Sequence, residues 1–329
     1  MDRENMPEHA PGTTGRAHAA PHGPVTVTNG TRFTTATGEP LHAHGGGMLR
    51  ADGHFYWFGE NRNPDNTFRS VSAYRSRDLK TWEFRNHILT RETDPELATA
   101  NIERPKVLYN PGTRQYVLWA HKENGNDYGE ARACVASCPQ IDGDYTWHGS
   151  FRPLGHMSRD LTLYQEESGE AAYLVSAARD NGDLHLYRLA DDCLAVAELV
   201  ANPWPGGHRE APALFRHDGG YVMLTSGLSG WRPNQQQYAT APALTGPWTD
   251  MRNVGDATAF DSQTACVLTL RGTRETTHLY LGDRWGNASG GTVNDSRYVW
   301  LPLRFSDATT MTMDWQNKLT IDVEAGTVY

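Results

Sequence analysis

The sequence predicts an all-β chain folded as a five-bladed β-propeller. Three observations carry that prediction: a recurring hairpin unit, a regular spacing of one polar anchor per unit, and the absence of long amphipathic helical patterns across 329 residues. Gly (32) and Pro (18) exceed the usual share, which favours many turns over a few long helices. Hydrophobic residues at 38% and charged residues at 21% suffice for a core and exclude a disordered chain.

Each unit joins a short apolar run, a turn, and a second run rich in Tyr, Trp and Val. The copies begin at His42, Glu103, Arg159, Arg209 and Ser262. Their turns carry Ala-Asp-Gly, Asn-Pro-Gly, Ser-Gly and Asp-Gly-Gly, the chemistry of β-hairpin loops. The anchors His44, Glu103, Asp160, Glu210 and Gln263 follow one another at intervals of 50 to 59 residues. A period of that size fits a propeller blade, a small antiparallel sheet. Segments 72–86, 133–151, 184–189 and 238–250 supply outer strands, with tryptophans such as Trp82, Trp147 and Trp248 packing the blades. Segment 296–305 and the MTMDWQNKLTI run after it close the ring or pack beneath it. Residues 1–26 read as a polar, mobile leader, and 27–329 as one five-bladed catalytic domain.

The charge balance, 30 basic against 39 acidic residues, gives −9 and argues against a nucleic-acid partner. No run of apolar residues is long enough to form a membrane-spanning helix. The N-terminal stretch has no apolar signal core, which predicts a cytoplasmic protein as written, or a secreted one if a leader was trimmed. A monomer is expected. Cys134, Cys138, Cys193 and Cys266 are too few for a disulfide scaffold and lack zinc-site spacing, so they read as buried thiols. The Asp-Gly pairs are turns, no calcium-loop spacing appears, and neither metal nor cofactor is predicted.

If every unit begins on an innermost strand, the anchors converge at one depth around the axis. Glu103, Asp160 and Glu210 are carboxylates, and Gln263 is isosteric with Glu. Like charges at a narrow pore are expensive unless protons or ligands compensate. Converging acids in a Trp-lined pocket are what glycoside hydrolysis needs: one carboxyl kept protonated, another group to manage water or ring hydroxyls.

The residues that carry this arrangement are His42-Ala-His-Gly-Gly-Gly47 with Trp57-Phe-Gly-Glu60, Glu103-Arg-Pro-Lys106, Ser158-Arg-Asp-Leu161 and Arg209-Glu-Ala-Pro212. Gly230-Trp-Arg-Pro-Asn234, Ser262-Gln-Thr264, Asp283-Arg-Trp285 and Ser296-Arg-Tyr-Val-Trp-Leu-Pro302 continue the set. Taken in order they resemble glycoside hydrolase family 43, and in detail its exo-β-1,3-galactanase branch, subfamily 24. The resemblance implies an inverting exo-glycosidase releasing galactose from the non-reducing end of β-1,3-galactan, as in arabinogalactan degradation. It implies Glu210 as general acid, Asp160 as the carboxylate that raises its pKa, and Glu103 as a binder of ring hydroxyls. Glu60, Tyr128, Asn181, Ser229, Trp231 and Asn234 become candidate subsite contacts. His44 is open to either a structural hydrogen bond or a substrate contact.

One departure limits the analogy. Most of the family places an Asp base in the first blade, where this chain has His-Ala-His-Gly-Gly-Gly. The galactanase branch shares that gap and carries Gln at the fifth anchor. An amide is a poor base. Gln263 could hold the attacking water or pass through its imidic-acid form, Glu103 could take the proton, or a water chain could; the residues leave these open. Two other readings compete: an α-L-arabinofuranosidase or β-xylosidase on the same frame, and a galactan-binding propeller without turnover.

Overall fold

The computed structural model describes residues 23–169 and 171–329. Residues 1–22, most of the segment read as a leader, lie outside the described residues; Val25 and Thr26 belong to the first strand, β1 (Val25–Thr28). The rest is almost wholly strand, with helix limited to four short 3₁₀ turns among the described residues. β-Branched and aromatic residues fill the strands because their side chains suit a pleated, half-buried surface.

Five sheets have four strands each, in simple sequential order. The first contains β2 (His44–Ala51), β3 (His54–Arg62), β4 (Phe68–Ser76) and β5 (Glu83–Thr90). The second contains β6 (Asn101–Asn110), β7 (Gln115–Glu123), β8 (Arg132–Cys138) and β9 (Thr146–Phe151). β10 (Leu161–Gln165), β11 (Ala172–Ala178), β12 (Asp183–Leu189) and β13 (Val196–Ala201) form the third. β14 (Arg209–His217), β15 (Gly220–Gly227), β16 (Gln236–Ala241) and β17 (Arg252–Val254) form the fourth. β18 (Gln263–Arg271), β19 (Thr276–Arg284), β20 (Arg297–Phe305) and β21 (Met311–Met313) form the fifth.

The five-bladed expectation is corrected by the sheet count: among the described residues there are six sheets, not five. The sixth has three strands, β1 with β22 (Lys318–Asp322) and β23 (Thr327–Val328). β1 pairs antiparallel with β22, Val25 opposite Ile321, so the two ends of the described chain share one sheet. Its apolar residues Val27, Leu319, Ile321 and Val328 join one buried cluster with Trp57 and Tyr74 of the first sheet and Leu279, Tyr298 and Trp300 of the fifth. The repeat missed it because hairpin grammar reports pairing between neighbours in sequence, and β1 finds its partner at the far end of the chain. The segment 296–305 supplies the third strand of the fifth sheet, and MTMDWQNKLTI is divided between β21 and β22.

Separate apolar clusters fill the other spaces between adjacent sheets. All four cysteines are buried and free, as expected. Strands β2, β6, β10, β14 and β18 run nearest the axis, each touching the next.

The anchors sit at the start of these inner strands. His44 and Gln263 open β2 and β18, Glu103 and Glu210 lie within three residues of their strand starts, and Asp160 immediately precedes β10. In four of the five the strand register then slips, just after His44, Glu103, Glu210 and Thr264. The residue after three of the anchors takes a positive φ: Gly45 at 58°, Arg104 at 54° and Ala211 at 47°. These are β-bulges, and they turn the anchor side chains toward one end of the ring.

Candidate active site

A cavity of about 230 Å³ opens where the inner strands begin. It is lined by Glu60, Glu103, Tyr128, Asp160, Asn181, Glu210, Trp231 and Gln263. Eight of the eleven residues singled out from the sequence are therefore brought together. Arg104, His121, Arg159, Leu228 and Trp285 also line it.

Glu210 is buried, and Asn181 Nδ2 donates to its Oε1 at 2.5 Å. Burial, and then the negative charge of Asp160, push its pKa up to about 8, against the opposing pull of Arg104 and Arg159. Asp160 accepts from Arg104 Nη2 at 3.0 Å and from the backbone N–H of Ala211 at 3.1 Å. The residue following the acid is thus tied to the carboxylate that perturbs it.

Glu103 is the opposite case. Burial alone would disfavour its charge, but His121, Arg62 and Tyr128 outweigh burial and hold its carboxyl down at about 2. Asn101 Nδ2 and the Tyr128 hydroxyl donate to its Oε1 at 2.7 and 2.9 Å. Glu60, buried from β3, pairs with Arg62 at 2.7 Å and accepts from Arg104 N at 3.0 Å. Burial still raises its pKa, an effect that Arg62 tempers.

Gln263 is fixed at both ends of its amide. Its Oε1 accepts from Arg104 Nη2 at 2.6 Å and from Trp285 Nε1 at 2.8 Å, and its Nε2 donates to Ser226 Oγ at 2.9 Å. The reversed amide would aim its N–H groups at two pure donors, so the hydrogen bonding assigns the orientation. Arg104 is the hub of the site: it also donates to Thr264 O at 2.8 Å and lies 5.3 Å from the Trp285 ring. Trp285 and Trp231 meet edge to face at 5.2 Å, forming an aromatic wall.

The glycines of the first inner strand have a steric role here. A Cβ on Gly45 would come 2.5 Å from Glu60 Oε1, and one on Gly47 would come 2.7 Å from Lys106 Cδ. The small residues admit Glu60, Arg104 and Lys106 to the axis, and no carboxylate stands at the first anchor.

Three residues from the sequence reading lie off the cavity wall. His44 is buried behind it, with Nδ1 2.9 Å from Asp283 Oδ1 and its ring stacked on Tyr298. Asn234 grips Gly227 through both backbone groups at 2.8 Å, and it donates to Ser229 Oγ at 2.5 Å. These two residues shape the loop that carries Leu228 and Trp231. Arg104 and Trp285 stood inside quoted motifs but received no role. His121 could have been noticed as the polar end of the apolar run YVLWAH.

Glu103, His121 and Asp160 bring three donor atoms within 4.8 Å of one another. Burial opposes the charge of His121, but its Nε2–H bond to Glu123 and the negative charges of Glu103 and Glu123 raise its pKa to about 9. Arg62 lies 3.5 Å from Glu103 and Arg104 lies 3.0 Å from Asp160, so these carboxylates already have cationic partners. The trio is an ion-pair network.

A buried carboxyl with a raised pKa, a carboxylate beside it, and an aromatic wall over a small polar pocket are the arrangement of a propeller glycoside hydrolase. The chain belongs to the glycosyl hydrolases family 43, whose family model matches residues 41–265. Among solved structures it is similar to an exo-β-1,3-galactanase from Clostridium thermocellum: 44% identity, TM-score 0.90, covering 92% of this chain and 68% of that one. It is also similar to a variant exo-β-1,3-galactanase from Phanerochaete chrysosporium with β-1,3-galactotriose, at 34% identity and TM-score 0.86, covering 92% and 70%. A third, a family 43 β-1,3-galactosidase with galactodeoxynojirimycin, is 30% identical with TM-score 0.80, covering 88% and 99%. No curated protein matches the sequence significantly.

Proposed function

We propose that this protein is an inverting exo-β-1,3-galactanase, with Glu210 as its general acid. The observation that carries the reading is the pairing of a Glu210 held protonated up to about pH 8 with a Gln263 amide clamped in the same cavity. The cavity, at about 230 Å³, suits the end of a sugar chain, and the similar galactanases support galactose as the sugar released.

Glu210 delivers its proton to the leaving O3 as the bond to the anomeric carbon breaks. Arg104, Arg159 and the Asn181 amide then stabilise the carboxylate left behind. Water attacks the anomeric carbon from the Gln263 side and yields α-galactose. Glu103, with a pKa near 2, is a weak base and is better suited to accepting sugar hydroxyls. Gln263 Oε1 already takes two donors, so an O-protonated imidic acid does not fit this hydrogen bonding. The remaining Nε2–H of Gln263 can instead donate to the attacking water and hold it, and the proton that water releases passes along a water chain to solvent. The apolar face of Trp231 covers the C–H side of the galactose ring, and Trp285, packed edge to face against it, supports it.

The test is a proton NMR time course on β-1,3-galactobiose and β-1,3-galactan. α-Galactose should appear first, and β-galactose first would overturn inversion. Glu210→Gln should lower kcat by about 100-fold or more, the usual scale of a lost general acid. A variant that keeps its activity removes Glu210 from the acid role.

A further inference from the structure

We infer that His121 and Glu123 form a positioning dyad that orients Glu103 and ties it to the loop carrying Tyr128. The inference rests on the reading of Glu103 as the group that binds sugar hydroxyls.

The geometry is a closed circuit within the second sheet. Glu103 on β6 and His121 on β7 are directly opposed in register. His121 Nδ1 lies 3.4 Å from Glu103 Oε2, an ion-pair contact, and Nε2 lies 2.8 Å from Glu123 Oε1. Glu123 in turn accepts the backbone N–H of Glu130 at 2.9 Å and that of Ala131 at 3.0 Å. Those two residues end the loop on which Tyr128 sits, and Tyr128 returns to Glu103 at 2.9 Å. One buried carboxylate, only 1% exposed, therefore sets both the imidazole and the loop, and both converge on one oxygen-rich edge of the sugar pocket.

Glu123 itself does not line the pocket, so it acts through other groups. A buried charge pair in this arrangement is costly unless each member is held by the next. The charges that face His121 are Glu103 from β6, Glu123 from its own strand and Asp160 from the neighbouring sheet, and the Tyr128 ring lies 6.0 Å away. Arg62 from β3 stands beyond Glu103 at 3.5 Å. Removing the Glu123 charge takes away a counter-ion of His121, so the imidazole loses its proton at a lower pH. Glu103 then loses one of its two cations, keeping Arg62, while the rest of the site is intact.

The experiment compares wild type, Glu123→Gln and Glu103→Gln on β-1,3-galactobiose across pH. For Glu123→Gln, KM should rise about tenfold or more at alkaline pH with little change in kcat, and the basic limb of kcat/KM should move to lower pH. A loss of equal size at every pH, or an unmoved KM, overturns the dyad. Should Glu103→Gln leave KM unchanged, the reading of Glu103 itself fails. If Glu103→Gln impairs binding while Glu123→Gln does not, only the dyad fails. A readout independent of variant folding is the His121 imidazole NMR titration in the wild type. The imidazolium should persist through neutral pH, with a pKa about 9; a neutral ring at neutral pH overturns the proposal.

Discussion

In the proposed role of general acid, Glu210 holds a proton at neutral pH and releases it on demand, and its surroundings favour the first at a cost to the fold. An ordinary Glu titrates near 4.5, and this one is pushed to about 8 by burial and by Asp160. A group whose folded pKa is raised stabilises the native state fully below the unfolded value, and that contribution is lost as pH rises through the folded value. Two outcomes follow at this scale. The kcat of the wild type should fall on a basic limb near pH 8. Glu210→Gln should melt several degrees above wild type at about pH 9, where the wild type carries a buried charge worth ~3–5 kcal/mol, and the gain should vanish near pH 4. Equal melting temperatures at alkaline pH would mean that Glu210 is not strained. If Glu210 is the acid, this is the usual exchange of stability for function at a catalytic residue.

At the scale of the element, the inner strands are built to misalign. The bulges after His44, Glu103 and Glu210 place Gly45, Arg104 and Ala211 at positive φ, and for Arg104 and Ala211 that costs about 1–2 kcal/mol each. The return is that anchor side chains from different sheets meet at one depth. The glycine run of β2 separates space from catalysis. On Gly46 a Cβ would come 1.8 Å from Phe58 O, a backbone atom that cannot move, so Gly46→Ala should destabilise by about 3 kcal/mol or more. On Gly45 the Cβ meets the Glu60 carboxylate, so Gly45→Ala should displace Glu60 and lower kcat/KM more than Gly38→Ala, whose Cβ meets nothing within 4 Å though its φ is also positive. Thermal melts and galactobiose kinetics on the three variants check both statements. The anchors were legible in sequence because a polar residue at each unit start, a carboxylate in three of the five, breaks an apolar pattern. Arg104 was not legible, because its role depends on a bulge that no residue type announces. His121 and Glu123 were missed for a related reason: strand alternation buries both, and only the opposite strand and the loop beyond show what they hold.

For the whole molecule, the sixth sheet matters more than its three strands suggest. Asn29, just after β1, donates to Trp300 O at 2.7 Å and Gln316 O at 2.8 Å, and accepts from Trp300 N at 2.7 Å. One buried side chain thus joins the start of the described chain to β20 and to the segment before β22. Asn29→Ala leaves those three backbone groups without their partner, and should cost about 2–4 kcal/mol at roughly 1 kcal/mol or more per lost bond. A urea denaturation series showing a change under 1 kcal/mol would reject the staple. The hairpins, their order and the spacing of Glu103, Asp160, Glu210 and Gln263 as unit anchors were determined by the sequence alone, since turn chemistry and alternating apolarity act between neighbours. The sixth sheet, the Arg104 hub and the exclusion of His44, Ser229 and Asn234 from the cavity wall were decided by tertiary structure. Each depends on contacts between residues far apart in sequence, and local periodicity carries no record of those.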